Sequence, residues 1–545
     1  MIYLSTLLLS MFITMTLIPI FKGLAVKINA VDIPNERKVH EHPMPRAGGL
    51  AMALGALIPV LLWVPASGFS NAILIGAGIV TVFGVADDIW ELGFKAKFAG
   101  QIAAALIVIQ YGGIKIQHLG TLLPGYQSLS DWVAIPLTLI VIVGVTNAIN
   151  LSDGLDGLAG GMSLLSFTCI GYLAYLNGHM VIAILSVAAV GAVFGFLRYN
   201  TYPASVFMGD AGSQLIGFLA ITLSLKLTQA NNPLSPLLPL ILLGFPVLDT
   251  MTVMLERLVE GRSPFYPDKN HLHHKLIRLG LYHTEAVLTI YIIQAFLVTS
   301  AFVFRTYSEW FLLILYLIFS GVILIAFFVT DRTGWRLRQH DFLRITMKGK
   351  LRFLKEDSIL IKLSFKALEI GIPSLLLLSC LLFKNMPRNF SFFSLGFIGL
   401  LILVWLLNEK LMETTLRVTL YLTIPFVVYL SERGISAWTN GNLTLLYNLS
   451  FGVLAMFVVL TLKFTRRTKG FKSTPMDFLI LFIALVVPNL PDQQIQSYQM
   501  GLVAAKIIVF FFGYEVLIGE LRGELRGIEI PTIATLLIAS LKGFV

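Results

Sequence analysis

The chain has 545 residues, 57% of them hydrophobic and only 13% charged, with a formal net charge of +10. A water-soluble domain carries about 25% charged residues, so that class is excluded. The Lys and Arg excess lies in the loops beside apolar runs, which is the pattern of a membrane protein's inner loops and not of a nucleic-acid binder.

Taken in chain order, the apolar runs approach the ~20 residues a helix needs to cross the hydrocarbon layer. They predict spans over 2–24, 48–66, 71–87, 97–112, 132–150, 157–176, 180–198, 214–230, 236–256, 285–305 and 309–330. The first reads as an uncleaved span, because it has neither a basic leader nor a small-residue cleavage site. The segment 113–131 reads as a small hairpin or interfacial loop. A basic linker over 331–360 follows, then about six more spans over 361–383, 391–408, 415–431, 442–463, 475–490 and 500–518, and a last apolar stretch over 531–545. No run of short alternating strands appears, so the expectation is an all-α polytopic membrane protein and not a barrel. Residues 1–330 and 361–545 read as separate regions, and the second shows few polar residues inside its spans. If basic loops lie inside, the N-terminus is outside and the polar loops of the first region share the cytoplasmic face. Cys169 and Cys380 sit in separate runs and offer neither a disulfide framework nor metal spacing.

Five of those loops carry unusual residues. "GVADDIWELGFKAKFAGQ" sets Asp87 and Asp88 at a span end, followed by Glu91, Lys95 and Lys97. Adjacent carboxylates at a membrane are costly, and either a divalent cation or an ion pair with the lysines relieves them. "NAINLSDGLDGLAGG" adds Asn147, Asn150, Asp153 and Asp156. If the helix continues through 150–157, the two aspartates share a face; alternatively Asn150 or Ser152 is an N-cap. "RYNTYPASVFMGDAGSQ" supplies Asn200, Phe207, Asp210 and Ser213, with Asp210 placed to cap the following span. "EGRSPFYPDKNHLHHKLIRLG" brings Arg262, His271, His273 and His274, of which His271 and His274 share a helical face and suit phosphate or metal. "NERKVHEHPMPRAGG" adds Lys38, His40, Arg46, Gly48 and Gly49. Carboxylates suit Mg²⁺ or Mn²⁺ better than zinc, and cations beside them suit a diphosphate. A P-loop is missing, as are a nucleophile elbow and a zinc-protease motif.

At "DDIWE", "NAINLSDGLDGLAGG", "VFMGDAGS" and "HLHH" preceded by "GRSPFYPD", the sequence resembles the polyprenyl-phosphate N-acetylhexosamine-1-phosphate transferases over residues 1–330. Glu91 stands where the family's acidic motif has a third aspartate, and 331–545 has no counterpart in it. The resemblance implies transfer of N-acetylglucosamine 1-phosphate from UDP-N-acetylglucosamine to polyprenyl phosphate in a bacterial inner membrane. Mg²⁺ (or Mn²⁺) would be the cofactor, UMP the second product, and a homodimer is the analogous assembly. Another UDP-N-acetylhexosamine or UDP-MurNAc-pentapeptide would use the same chemistry, although the HLHH form disfavours the last. The resemblance makes Asp87, Asp88 and Asp210 the catalytic and metal-binding carboxylates. It puts Lys97, Asn150, Asp153, Asp156, Asn200 and Phe207 at the nucleotide, and Arg262, His271, His273 and His274 around the diphosphate and sugar. A transporter of lipid-linked sugars is the reading from another class; it would place its polar residues near mid-bilayer in broken helices.

Overall fold

In the computed structural model the residues described are 2–33, 43–123, 128–230, 232–263, 270–334, 359–383, 386–407, 411–438, 441–464, 500–521 and 525–543. They form nineteen α-helices and one pair of two-residue strands, and ten of the helices are long and apolar enough to cross a membrane. This is an all-α polytopic membrane protein. Two compact units divide the described residues, one reaching residue 334 and the other starting at 359. The predicted span 475–490, the basic linker after residue 334, and Lys38 and His40 lie outside the described residues.

The first unit holds α1 (Ile2–Lys27), α2 (Gly48–Trp63), α3 (Gly68–Trp90), α4 (Phe94–Gln110), α5 (Asp131–Leu151), α6 (Leu158–Leu176) and α7 (Met180–Asn200). It continues with α8 (Gly209–Thr228), α9 (Leu238–Leu242), α10 (Gly244–Val259), α11 (Leu272–Arg278), α12 (His283–Val303) and α13 (Glu309–Thr333). The strands β1 (Val31–Asp32) and β2 (Met44–Pro45) pair antiparallel between α1 and α2. At the centre stands α8, buried along nearly its whole length, as a helix apolar on all sides must be. It packs against α2, α3, α5 and α6. Membrane helices approach closely where residues are small, and α3 meets α8 at Gly84, where a Cβ would collide with the backbone of Ala211.

Two predicted elements differ. The span 214–230 begins earlier, at Gly209, so Asp210 lies in the first turn of α8 and not ahead of it. The span 236–256 is broken at Leu243 into α9 and α10. The break is tolerated because a freed carbonyl finds partners: Leu242 O accepts from Ser166 Oγ and Gln294 Nε2, both at 2.8 Å. Tyr316 OH adds a bond to Gly244 O at 2.9 Å. The described part of 113–131 is a loop with one 3₁₀ turn, Gly120–Leu122. Glu309 holds it, accepting from Thr121 N at 2.8 Å and from Ser235 Oγ at 3.0 Å.

The second unit contains α14 (Ile359–Leu381), α15 (Arg388–Leu407), α16 (Met412–Trp438), α17 (Gly441–Phe464), α18 (Met500–Leu521) and α19 (Arg526–Leu541). Among its few buried charges, Lys506 and Glu432, only 1% and 3% exposed, form an ion pair at 2.5 Å. The ammonium also lies 4.2 Å from the ring centroid of Tyr447, whose hydroxyl bonds Ser379 Oγ at 2.7 Å. Removing one partner of a buried pair leaves an uncompensated charge and costs about 3–5 kcal/mol. Glu432→Leu is therefore expected to lower the unfolding midpoint of the purified protein, and adding Lys506→Met is expected to restore much of the loss. A single variant as stable as the parent would show that the pair carries no such weight.

Candidate active site

The polar residues come from helix ends that α8 gathers. Four N–H groups at a helix start lack intrahelical partners, and Asp88 from the end of α3 takes two of those of α8. Its Oδ1 accepts from Asp210 N at 2.9 Å and its Oδ2 from Ala211 N at 3.2 Å. This corrects the expectation that Asp210 caps the helix: the cap comes from another helix, which leaves the Asp210 carboxylate facing the site. The cap needs Gly209, which has φ +66° and whose Cβ would run into the Asp88 carboxylate.

Lys97, in the first turn of α4, joins the remaining carboxylates. Its Nζ lies 2.6 Å from Asp87 Oδ2 and 3.3 Å from Asp210 Oδ2. Asn150, in the last turn of α5, donates to Asp210 Oδ1 at 2.6 Å and to Ser213 Oγ at 2.7 Å. Below it a buried amide chain fixes the spacing of α4, α5 and α8. Asn147 Nδ2 donates to Gln101 Oε1 at 2.6 Å, and Gln101 Nε2 to Gln214 Oε1 at 3.1 Å. Asp87 Oδ1 is buried with no hydrogen-bond partner among the described residues. Such an atom is costly unless something occupies it. Glu91 is exposed at the C-cap of α3, with φ 49°, outside this cluster.

The first loop reaches the site through backbone bonds. Phe207 N donates to Pro45 O at 3.0 Å, while Gly48 N and Gly49 N donate to Phe207 O and Met208 O, each at 2.9 Å. Arg46 is thereby set against Asp32, with which it forms an ion pair, and 3.9 Å from Asp88 Oδ1. Phe207 itself is half-buried.

Residues 152–157 do not continue α5, which ends at Leu151, so Asp153 and Asp156 share no helix face. Asp156 Oδ2 accepts from Ala204 N at 2.9 Å. Asp153 is pushed up to about 8 by desolvation first and then by the carboxylates of Asp210 and Asp156. Asn200 is buried and spends its amide on backbone, accepting from Gly157 N at 2.9 Å and donating to Val206 O at 3.0 Å. It ties two loops together.

The histidines do not lie on one helical face, because α11 starts only at Leu272 and His271 is its N-cap residue. His271 Nδ1 lies 2.8 Å from Asp249 Oδ2. His273 is buried, its Nε2 without a hydrogen-bond partner among the described residues, and packs on Gly154, where a Cβ would collide with the imidazole. Burial, and then the neighbouring His274, hold it at about 3, so it is neutral. The His273 and His274 rings lie 4.2 Å apart. Arg262 pairs with Glu260 just beyond α10. Sequence reasoning missed Asp249 and Asp32. A carboxylate inside an apolar span, as in "GFPVLDTMTVM", is itself a signal of function, and that signal marks Asp249.

Residues 70–228 match the model of glycosyl transferase family 4. The chain is 38% identical over 323 residues to the "Probable undecaprenyl-phosphate N-acetylglucosaminyl 1-phosphate transferase" of Bacillus subtilis, covering 58% of this chain and 89% of that protein. The chain belongs to the polyprenyl-phosphate N-acetylhexosamine-1-phosphate transferase family. Within this family the undecaprenyl-phosphate alpha-N-acetylglucosaminyl 1-phosphate transferase of Escherichia coli K12 is 33% identical over 327 residues, 58% of this chain and 88% of its own. A decaprenyl-phosphate N-acetylglucosaminephosphotransferase of Mycolicibacterium smegmatis is 38% identical over 307 residues, 49% of this chain and 74% of its own. The matched segment 70–228 includes Asp87, Asp88, Lys97, Asn150 and Asp210, so this transferase family's region and the carboxylate cluster coincide.

Proposed function

We propose that the chain transfers N-acetylglucosamine 1-phosphate from UDP-N-acetylglucosamine to polyprenyl phosphate, as the first membrane step of a cell-envelope polysaccharide. One observation carries the reading: Lys97 holds Asp87 and Asp210 together, at 2.6 and 3.3 Å, in a buried acidic cluster at the start of α8. In this reaction a phosphate oxygen of the lipid bonds to the sugar-bearing phosphorus, and the bond from that phosphorus to UMP breaks. Phosphoryl transfer of this kind depends on positioning and charge neutralisation. The relatives' names support the donor and acceptor classes.

The residues present fit Mg²⁺. This ion keeps several waters and takes one or two carboxylates together with substrate phosphates. Asp87 and Asp210 would hold it, and when bound it supplies charge neutralisation at the diphosphate. The chain's own groups do the rest. Lys97 holds the two carboxylates together and adds positive charge; Asn150 orients Asp210; Asp88 fixes the first turn of α8. We place the site on the cytoplasmic face of a bacterial inner membrane, with the N-terminus outside, where a nucleotide sugar and a lipid phosphate can meet.

The test is incubation of the purified protein with Mg²⁺, polyprenyl phosphate and radiolabelled UDP-N-acetylglucosamine. Label is expected in the lipid phase with release of UMP, and chelation by EDTA is expected to stop both. UMP release and lipid labelling only with a different UDP-N-acetylhexosamine would replace the sugar, and no turnover with any would remove the reading.

A further inference from the structure

The broken span brings a carboxylate to the histidine segment that the reaction does not otherwise use. Asp249 is 1% exposed and lies in α10, beyond the break at Leu243. Its two oxygens are both engaged on the start of α11. Oδ2 lies 2.8 Å from His271 Nδ1, and Oδ1 accepts from Leu272 N at 2.6 Å. Seven residues on, and so on the same face of α10, Glu256 Oε1 pairs with Lys275 Nζ at 2.6 Å. Two acidic residues of α10 therefore clamp both turns of α11. The two contacts differ in kind: Glu256 meets a flexible ammonium, whereas Asp249 meets an imidazole whose two nitrogens are chemically distinct.

A carboxylate only accepts, so His271 Nδ1 must be the nitrogen that carries the proton. The other nitrogen then takes whatever role is left, since the bond at one ring nitrogen decides the state of the other. We propose that Asp249 is a positioning residue for the transfer: it locks His271 in the Nδ1–H form and leaves Nε2 as an acceptor for an O–H donor of the substrate. That donor is either a sugar hydroxyl of the nucleotide sugar or the P–OH of the acceptor phosphate. This inference rests on the proposed function for the identity of the substrates, but not for the state of the imidazole.

Asp249→Asn separates this role from simple packing. The isosteric amide has one acceptor. Leu272 N–H can only donate, so the amide oxygen goes to it and the NH₂ group faces His271. Nδ1 must then accept, and the proton moves to Nε2. The experiment has two arms on the full-length protein. In lipid bilayers, ¹⁵N-histidine NMR, with the His271 signals assigned by their loss in His271→Gln, is expected to show Nδ1–H in the parent and Nε2–H in Asp249→Asn. In the transfer assay, kcat/KM is expected to fall by about 10- to 100-fold, the scale of losing an outer partner of a functional histidine. A raised KM for UDP-N-acetylglucosamine identifies the sugar hydroxyl as the donor, and a raised KM for polyprenyl phosphate identifies the P–OH. Glu256→Gln, which disturbs the other clamp, is expected to leave the His271 tautomer unchanged. An Nδ1–H tautomer persisting in Asp249→Asn, or kinetics within twofold of the parent, would overturn the proposal. An inactive parent would instead defeat the proposed function, with the NMR arm still deciding whether Asp249 sets the tautomer.

Discussion

Asp210→Asn is expected to reduce turnover by on the order of 10³-fold or more, the scale on which phosphoryl transfer responds to loss of one charge-stabilising group, while the protein remains folded. The structure explains why both halves should hold. Asp210 is not the cap of α8; Asp88 is, so the helix start survives the substitution. An asparagine can still accept from Asn150, and Lys97 keeps Asp87 at 2.6 Å. What disappears is one of the two carboxylates on Lys97. Label transfer to the lipid phase and a thermal melt, measured on the same preparation, check the two halves separately. Activity within tenfold of the parent would take Asp210 out of the chemistry. A collapsed melt would mean that it supports α8 after all.

Gly84→Ala is expected to lower activity by about 100-fold, because a displacement near 1 Å at a reacting site costs about that much. Gly84 makes no contact with substrate in this reading. It is the point where α3 rests on the backbone of Ala211, three residues before Asp87 and one residue after Asp210. A methyl group there must push α3 and α8 apart, which opens the Asp88 cap and the Asp87–Lys97–Asp210 group together. The loss should fall mainly on kcat, with a lowered melting temperature. An alanine variant with parental kinetics would show that the helices can separate without moving the carboxylates.

These two residues mark the limits of sequence reading here. Asp210 was legible as a candidate site residue from its setting in "VFMGDAGS", because a carboxylate beside an apolar run is costly. Its supposed cap was misread, because local spacing cannot reveal that a carboxylate 122 positions away reaches the same helix end. Asp153 and Asp156 were legible as polar residues out of place, yet the shared helical face was wrong, since α5 stops at Leu151. Asn200 carried the same kind of signal, and only the fold shows that its amide links Gly157 to Val206.

Hydrophobic runs by themselves determined that the chain is a bundle of membrane helices and where most of them lie, because a bilayer demands length and apolarity that composition alone can meet. They also marked the polar loops, since charge near lipid is expensive wherever it occurs. Only the tertiary structure decided which of those polar groups support the backbone and which face one another. Hydrogen-bond partners such as Asp88 with α8, or Asp249 with His271, are set by helix packing. Whether a backbone can come close enough depends on single missing side chains, as at Gly84 and Gly209. Pairing across distant segments leaves no periodic trace along the chain, and so the division of labour among the aspartates appears only once the helices are packed.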